Sequence, residues 1–141
     1  DPVKKVIGLS HSGWRGTVGK IGKVTVEKME EEFGCDPADI LGAVGPSICQ
    51  DCYEVSKDVA EEFRSAFAKK YRDRLFYRKE NGKYQLNLWM ANKIIFLEAG
   101  IPEENISMPN LCSCCNPEFL FSHRASHGKR GNLGAFLGIR S

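Results

Sequence analysis

Histidine is scarce in this chain of 141 residues: there are three, beside two tryptophans and three methionines. Any chemistry that needs many imidazoles is therefore short of ligands. Net charge is nearly absent too, since 20 Lys and Arg face 18 Asp and Glu for a formal +2. So small an excess argues against nucleic acid or an anionic membrane surface as partner. Long apolar runs are missing, and stretches such as Lys93-Ile94-Ile95-Phe96-Leu97 are broken by charge well before bilayer length. The residues at the N-terminus, Asp1-Pro2, do not form a basic-then-apolar leader. A cytoplasmic setting is the expectation. Internal repeats, low-complexity tracts and linkers are likewise lacking.

What is present is ordinary for a globular protein, with 42% apolar and 27% charged residues. The length fits one domain over residues 1–141, large enough to bury roughly two-thirds of its unfolded surface. Nothing in the pattern assigns an oligomeric state. Basic residues gather loosely at Lys69, Lys70, Arg72 and Arg74, which suits a solvated helix end, and at Arg124, Lys129 and Arg130, which suits an anionic ligand.

The most informative run is His11-Ser12-Gly13-Trp14-Arg15-Gly16, directly after the apolar stretch Val6-Ile7-Gly8-Leu9. An imidazole at the end of a strand, followed by a glycine-flanked turn with an indole and a guanidinium, puts a metal ligand or base beside an anion binder. Open α/β sheets place their sites at such edges. The competing reading is a surface turn with a packed Trp14 and a solvated Arg15.

The six cysteines, at 35, 49, 52, 112, 114 and 115, come without an export signal, so reduced thiols are expected rather than disulfides. Cys49-x-x-Cys52 with Cys112-x-Cys114-Cys115 and His123-x3-His127 has the look of a box of zinc ligands, although the second cluster does not read as a plain C-x-x-C knuckle. The alternative is that these thiols are small buried apolar side chains.

Periodicity predicts a buried strand over Lys5–Ser10, a helix over Thr17–Phe33 with Gly22, Val26, Met29 and Phe33 on one stripe and Gly34 as its stop, and a buried strand over Ile40–Val44. Ser56 reads as the N-cap of a helix to about Lys70, with Val59, Phe63 and Phe67 at core spacing. Leu75–Arg78 and Lys83–Leu86 flank Glu80-Asn81-Gly82, a hairpin signal. Asn87 would cap a helix through Ala99, ended by Gly100 and Pro102. A short strand over Asn105–Met108 and two closing strands, Glu118–Ser122 and Leu133–Ile139, complete the reading. The fold class is α/β to α+β, a mixed sheet with covering helices.

The His11 run resembles the His-x-Gly-Trp-Arg-Gly signature of the YfiH-like family, once described as multicopper polyphenol oxidoreductases of laccase type and associated with purine nucleoside phosphorylase and adenosine deaminase activity. Gly45-Pro46-Ser47-Ile48 through Cys52-Tyr53-Glu54-Val55 is similar to a second family segment. Leu86-Asn87-Leu88-Trp89 with Asn92 and Leu97-Glu98-Ala99-Gly100 resembles a third, and Leu111-Cys112 through Phe121-Ser122-His123-Arg124 a fourth. The resemblance implies a layered α-β-β-α sandwich and a catalytic zinc held by two histidines and a cysteine. Of these ligands only His11 can be carried over, because neither motif that supplies the other two occurs here. The chain is then expected to be the C-terminal portion of a longer domain.

That resemblance implies a zinc-dependent enzyme acting on inosine, adenosine or methylthioadenosine, with phosphate as co-substrate. A zinc ion with an open position can acidify water for attack on a purine carbon, and Arg15 or Arg124 would suit phosphate through bidentate contacts. His11, Arg15, Cys52 and His123 are the catalytic candidates. Cys52 is either a site thiol with a pKa lowered by a helix N-terminus or an inert buried residue. Glu54 is either a general base or a carboxylate satisfying backbone donors. His123 is either a purine contact or a structural histidine, and His127 is expected in solvent. Three departures from the family pattern, Asn87 for Asp, Ala125 for the second Arg of a pair, and Asn132 for Arg, each lose a charge. They support an alternative reading as a catalytically inert or partner-binding domain. Copper-dependent oxidation of phenols is a lesser alternative, for which three histidines are too few.

Overall fold

A computed structural model describes residues 1–129 and 131–140, so Arg130 of the second basic group lies outside the described residues. The chain forms two compact units, residues 1–44 with 92–108 and 134–141, and residues 45–91 with 109–133. The helices are α1 (Trp14–Val18), α2 (Ile21–Phe33), α3 (Lys57–Ala66), α4 (Arg72–Leu75) and α5 (Leu88–Glu98), and the strands are β1 (Gly42–Ala43), β2 (Glu54–Val55), β3 (Phe76–Arg78), β4 (Tyr84–Leu86) and β5 (Ile106–Ser107). β1 and β5 pair in parallel, while β2, β4 and β3 form an antiparallel sheet in that order. The mixed α/β class expected from the sequence is what the molecule has.

The first unit is built on α2. Val26 and Met29 on its inner stripe join Cys35, Ile40 and Ile101 in a buried cluster, with Val6, Phe96, Ala99 and Ile106 packed around it. Gly34 stops the helix as expected, at φ 64°, with its N–H bonded to the carbonyl of Glu30. Phe33, however, is 59% exposed and leaves the stripe. The single helix expected from Thr17 is two helices, because Gly19 closes α1 and Lys20 turns the chain with a φ of 53° before α2 begins. That left-handed turn is anchored by the Lys20 ammonium, 2.6 Å from Glu98.

The stretch Lys5–Ser10 is not a strand. Among the described residues no strand pairs with it, and Ile7 and Leu9 face solvent, so its alternating apolar residues gain no ladder to hold them extended. The same reason removes the two closing strands, since Glu118–Ser122 is a succession of turns and irregular chain and Leu133–Ile139 runs irregular with Phe136 exposed. The expected strands at Ile40–Val44 and Asn105–Met108 shrink to the parallel pair β1 and β5.

In the second unit the hairpin forms as the Asn-Gly signal requires: Phe76 pairs with Leu86 and Arg78 with Tyr84, and Gly82 takes a φ of 80°. The helix from Ser56 ends at Ala66, short of Lys70, with Phe63 and Phe67 buried and their rings stacked. Lys69–Tyr71 continues as a 3-10 turn into α4, so the basic group from Lys69 to Arg74 straddles two short elements. Asn87 caps α5, its Oδ1 accepting from the Met90 N–H at 2.9 Å. The amide also donates to Gln50 Oε1 at 3.3 Å, a bond a carboxylate at this position could not give. Among the described residues no helix is long and apolar enough to cross a membrane.

Candidate functional site

The glycines around His11 are there for space. A Cβ on Gly13 would stand 3.1 Å from His11 Nε2, and one on Gly16 would stand 3.0 Å from the His11 carbonyl oxygen. The turn thus folds closely around its own imidazole. Behind it, Thr17 in α1 is fully buried, and its Oγ1 donates to the carbonyl of Gly13 at 3.0 Å. The Ser12 hydroxyl sits 3.0 Å from Thr17 Oγ1 and donates to Asn92 Oδ1 at 2.7 Å, while Asn92 Nδ2 reaches Thr17 Oγ1 at 3.4 Å. Three polar side chains, two of them buried, therefore fix the turn from beneath and leave His11 and Arg15 exposed at its surface. Arg15 lies over the Trp14 ring, 4.3 Å from its centroid, and among the described residues no carboxylate forms an ion pair with it.

The other candidates belong to the second unit. Arg124 donates from Nη2 to the Glu54 carbonyl at 3.0 Å and lies over the Tyr53 ring at 5.5 Å. His123 and His127 are both exposed, and the turn that holds them closes with the Gly128 N–H on the His123 carbonyl at 2.9 Å. Glu54 serves the hairpin: Lys79, Lys83 and Asn81 all bond its carboxylate and hold its pKa at about 2. A carboxylate held that far down is a weak base near neutrality, so the general-base reading of Glu54 does not hold.

Cys52 ends the 3-10 turn Gln50–Cys52 and precedes β2, so no helix N-terminus lowers its pKa. Burial, with hydrogen bonds to the thiols of Cys115 and Cys49, pushes it up instead. Its sulfur stands 3.4 Å from that of Cys115 and belongs to a group of four, Cys49, Cys52, Cys112 and Cys115, whose sulfurs all lie within 4.8 Å of one another. Among the described residues this is the one group of three or more His, Cys, Asp or Glu side chains that could hold a metal ion. His11 is not in it, and neither are Cys114, His123 or His127. The second pair, Cys112 and Cys115, is after all a C-x-x-C pair, hidden in the sequence by Cys114 between its members. Burial pushes the Cys112 thiol up, but the backbone N–H groups of Cys49 and Cys115 outweigh it and bring its pKa down to about 7.

Comparison with known proteins matches residues 1–140 to the family described as multi-copper polyphenol oxidoreductase laccase. The chain is 36% identical to the purine nucleoside phosphorylase YlmD of Bacillus subtilis over 140 residues, 99% of this chain and 50% of that protein. It is 40% identical over 119 residues to adenosine deaminase RL5 of an unknown prokaryotic organism, covering 84% of this chain and 45% of that one. The crystal structure of the hypothetical protein YfiH of Bacillus licheniformis superposes with a TM-score of 0.86 at 35% identity, over 92% of this chain and 48% of that one. The chain thus spans about half the length of the curated relatives it matches.

Proposed function

The chain belongs to the multi-copper polyphenol oxidoreductase laccase family, and from that premise we propose that it acts on purine nucleosides, by phosphorolysis of inosine, adenosine or methylthioadenosine and by deamination of adenosine. What supports the reading is its likeness, over nearly its whole length, to a relative named purine nucleoside phosphorylase and, over most of it, to one named adenosine deaminase. The turn around His11 adds to it, since Ser12, Thr17 and Asn92 fix a turn that exposes both an imidazole and a guanidinium with no ion pair among the described residues.

In phosphorolysis a phosphate oxygen bonds the ribosyl carbon as its bond to the purine nitrogen breaks, and the base leaves with a proton. Arg15 in the first unit is proposed to bind the phosphate, its planar fork matching two oxygens at once. In the second unit Arg124 is proposed as an anion contact and His123 as a contact to a purine. His11 is proposed as a metal ligand. A catalytic zinc normally takes three protein ligands. Among the described residues no group of three includes His11, so these residues do not by themselves fit such an ion. Copper oxidation of phenols is the weaker alternative, because three histidines cannot furnish a multicopper centre. The proposal includes a cytoplasmic, reducing setting, in which the thiols stay reduced.

Assay of the gene product carrying this sequence tests the reading: phosphate-dependent release of hypoxanthine from inosine, or conversion of adenosine to inosine, lost in His11→Ala. Turnover of neither substrate would favour the inert or partner-binding alternative.

A further inference from the structure

We propose that Cys49, Cys52, Cys112 and Cys115 form a tetrahedral site for a structural zinc ion that clips together the two stretches of chain making up the second unit. Two ligands come from residues 45–91 and two from residues 109–133. Each pair has the C-x2-C spacing of a zinc knuckle. Zinc–sulfur bonds of about 2.3 Å in a tetrahedron place neighbouring sulfurs roughly 3.8 Å apart. The observed separations, 3.4 Å for Cys52 to Cys115 and no more than 4.8 Å for any pair, bracket that value.

The surroundings are those of a built site rather than a chance meeting of thiols. The N–H groups of Cys49 and Cys115 point at the Cys112 sulfur, at 3.2 and 3.4 Å, as donors suited to a thiolate. The first loop is held to β4 by Gln85, whose Nε2 donates to the carbonyls of Gln50 at 2.9 Å and Asp51 at 2.7 Å. The second is held by Asn116, which bonds the Cys112 carbonyl through its backbone N–H and its side-chain amide. A bridge between Ser47 and Cys112, with the Ser113 N–H on the Ser47 carbonyl at 3.2 Å, sets the two loops side by side. Cys112 is buried, Cys49 and Cys52 are half-buried and Cys115 is exposed, so an ion can enter from the Cys115 side.

A donor set of four sulfurs with no oxygen selects a soft, tetrahedral ion over magnesium or calcium. Binding is acid–base chemistry with no change of oxidation state: four thiols release four protons to solvent and four sulfur–zinc bonds form. A disulfide would use two of the four sulfurs and leave the others unjoined. The zinc ion instead satisfies all four and closes the long loop between Cys52 and Cys112, removing freedom from the unfolded chain.

The gene product, purified under reducing conditions with its affinity tag removed and loaded with zinc, should carry roughly one tightly held ion per chain in this site, kept in His11→Ala and Cys114→Ser and lost in Cys115→Ser and in Cys52→Ser. X-ray absorption of His11→Ala, where His11 can hold no zinc, should show a shell of four sulfurs at about 2.3 Å, a readout that survives even if a cysteine variant fails to fold. Cobalt in place of zinc should give sulfur-to-metal charge transfer with tetrahedral visible bands. Chelation should lower the thermal midpoint by roughly 10 °C. The proposal is overturned by a zinc shell of nitrogen or oxygen in His11→Ala, by zinc retained in the His11→Ala/Cys52→Ser/Cys115→Ser triple variant, by iron in place of zinc, or by a Cys52–Cys115 disulfide in the protein as isolated.

Discussion

The Ser12 hydroxyl donates to Asn92 Oδ1 at 2.7 Å although 80 positions separate the two residues in sequence. Asn92 is buried and also touches the fully buried Thr17, so its amide is the point at which the turn around His11 is tied to the body of its unit. Truncation to Asn92→Ala leaves the hydroxyls of Ser12 and Thr17 short of a partner away from water, which costs about 1–3 kcal/mol. Urea unfolding should show that loss, and nucleoside turnover should fall further than stability alone explains because the imidazole is no longer fixed. A variant as stable as the parent would mean that the turn holds itself.

Gly34 and Gly45 separate backbone strain from side-chain space. Gly34 ends α2 at φ 64°, where a Cβ costs about 1–2 kcal/mol whatever the room around it. Gly45 has no atom within 4 Å of where its Cβ would stand and does not take a left-handed φ. Gly34→Ala should therefore lower the unfolding midpoint, while Gly45→Ala leaves it in place or raises it slightly through reduced freedom of the unfolded chain.

Glu54 gives a pH test with a fixed sign. Its bonds to Lys79, Lys83 and Asn81 hold the folded pKa at about 2, below the ordinary 4.5, so the carboxylate's contribution is complete above pH 4.5 and disappears as pH falls through about 2. Glu54→Gln should be less stable than the parent by a constant margin from pH 5 to 8, and the margin should close on acidification. Denaturant midpoints measured across that range check it. A margin that widens in acid would show that the carboxylate does not act through these cations.

The residues that could be read correctly from sequence are those whose signal is local. Asn81-Gly82 fixes the hairpin and Gly34 ends its helix because each depends only on its own φ. Asn87 caps α5 through a bond three residues away. Lys5–Ser10 and Leu133–Ile139 failed because a strand depends on a partner, which alternation within one segment cannot reveal. The break at Lys20 depends on its φ of 53° and on a partner, Glu98, 78 positions away. In the site, the His11 run was legible as a motif, but its support by Asn92 is a long-range contact. The four-sulfur group is half legible: the Cys49-x-x-Cys52 spacing stands in the sequence, but Cys114 obscures the Cys112–Cys115 pair. That the two loops meet is shown only by contacts more than 60 positions apart, such as the Cys49 N–H on the Cys112 sulfur and the bridge between Ser47 and Cys112.

Arg15 and Arg124 differ in what already engages them, and that difference separates their roles. Arg124 is committed to the Glu54 carbonyl and to the face of Tyr53. Arg15 rests on Trp14 alone, with its guanidinium edge open to solvent and no carboxylate paired to it among the described residues. A phosphate held by the Arg15 fork makes charge-assisted bonds worth about 1.5–3 kcal/mol, which converts to a rise in the KM for phosphate of roughly ten- to hundredfold in Arg15→Ala. Arg15→Lys should recover only part of that, because an ammonium keeps the charge but not the two-pronged geometry. Arg124→Ala should instead lower stability slightly through the lost stacking and backbone bond, and move the phosphate KM less. Initial-rate measurements with phosphate varied at saturating inosine, beside urea unfolding of the same variants, give both quantities. If Arg15→Ala leaves the phosphate KM unchanged while Arg124→Ala raises it, the anion site belongs to Arg124 and the guanidinium beside His11 has another role.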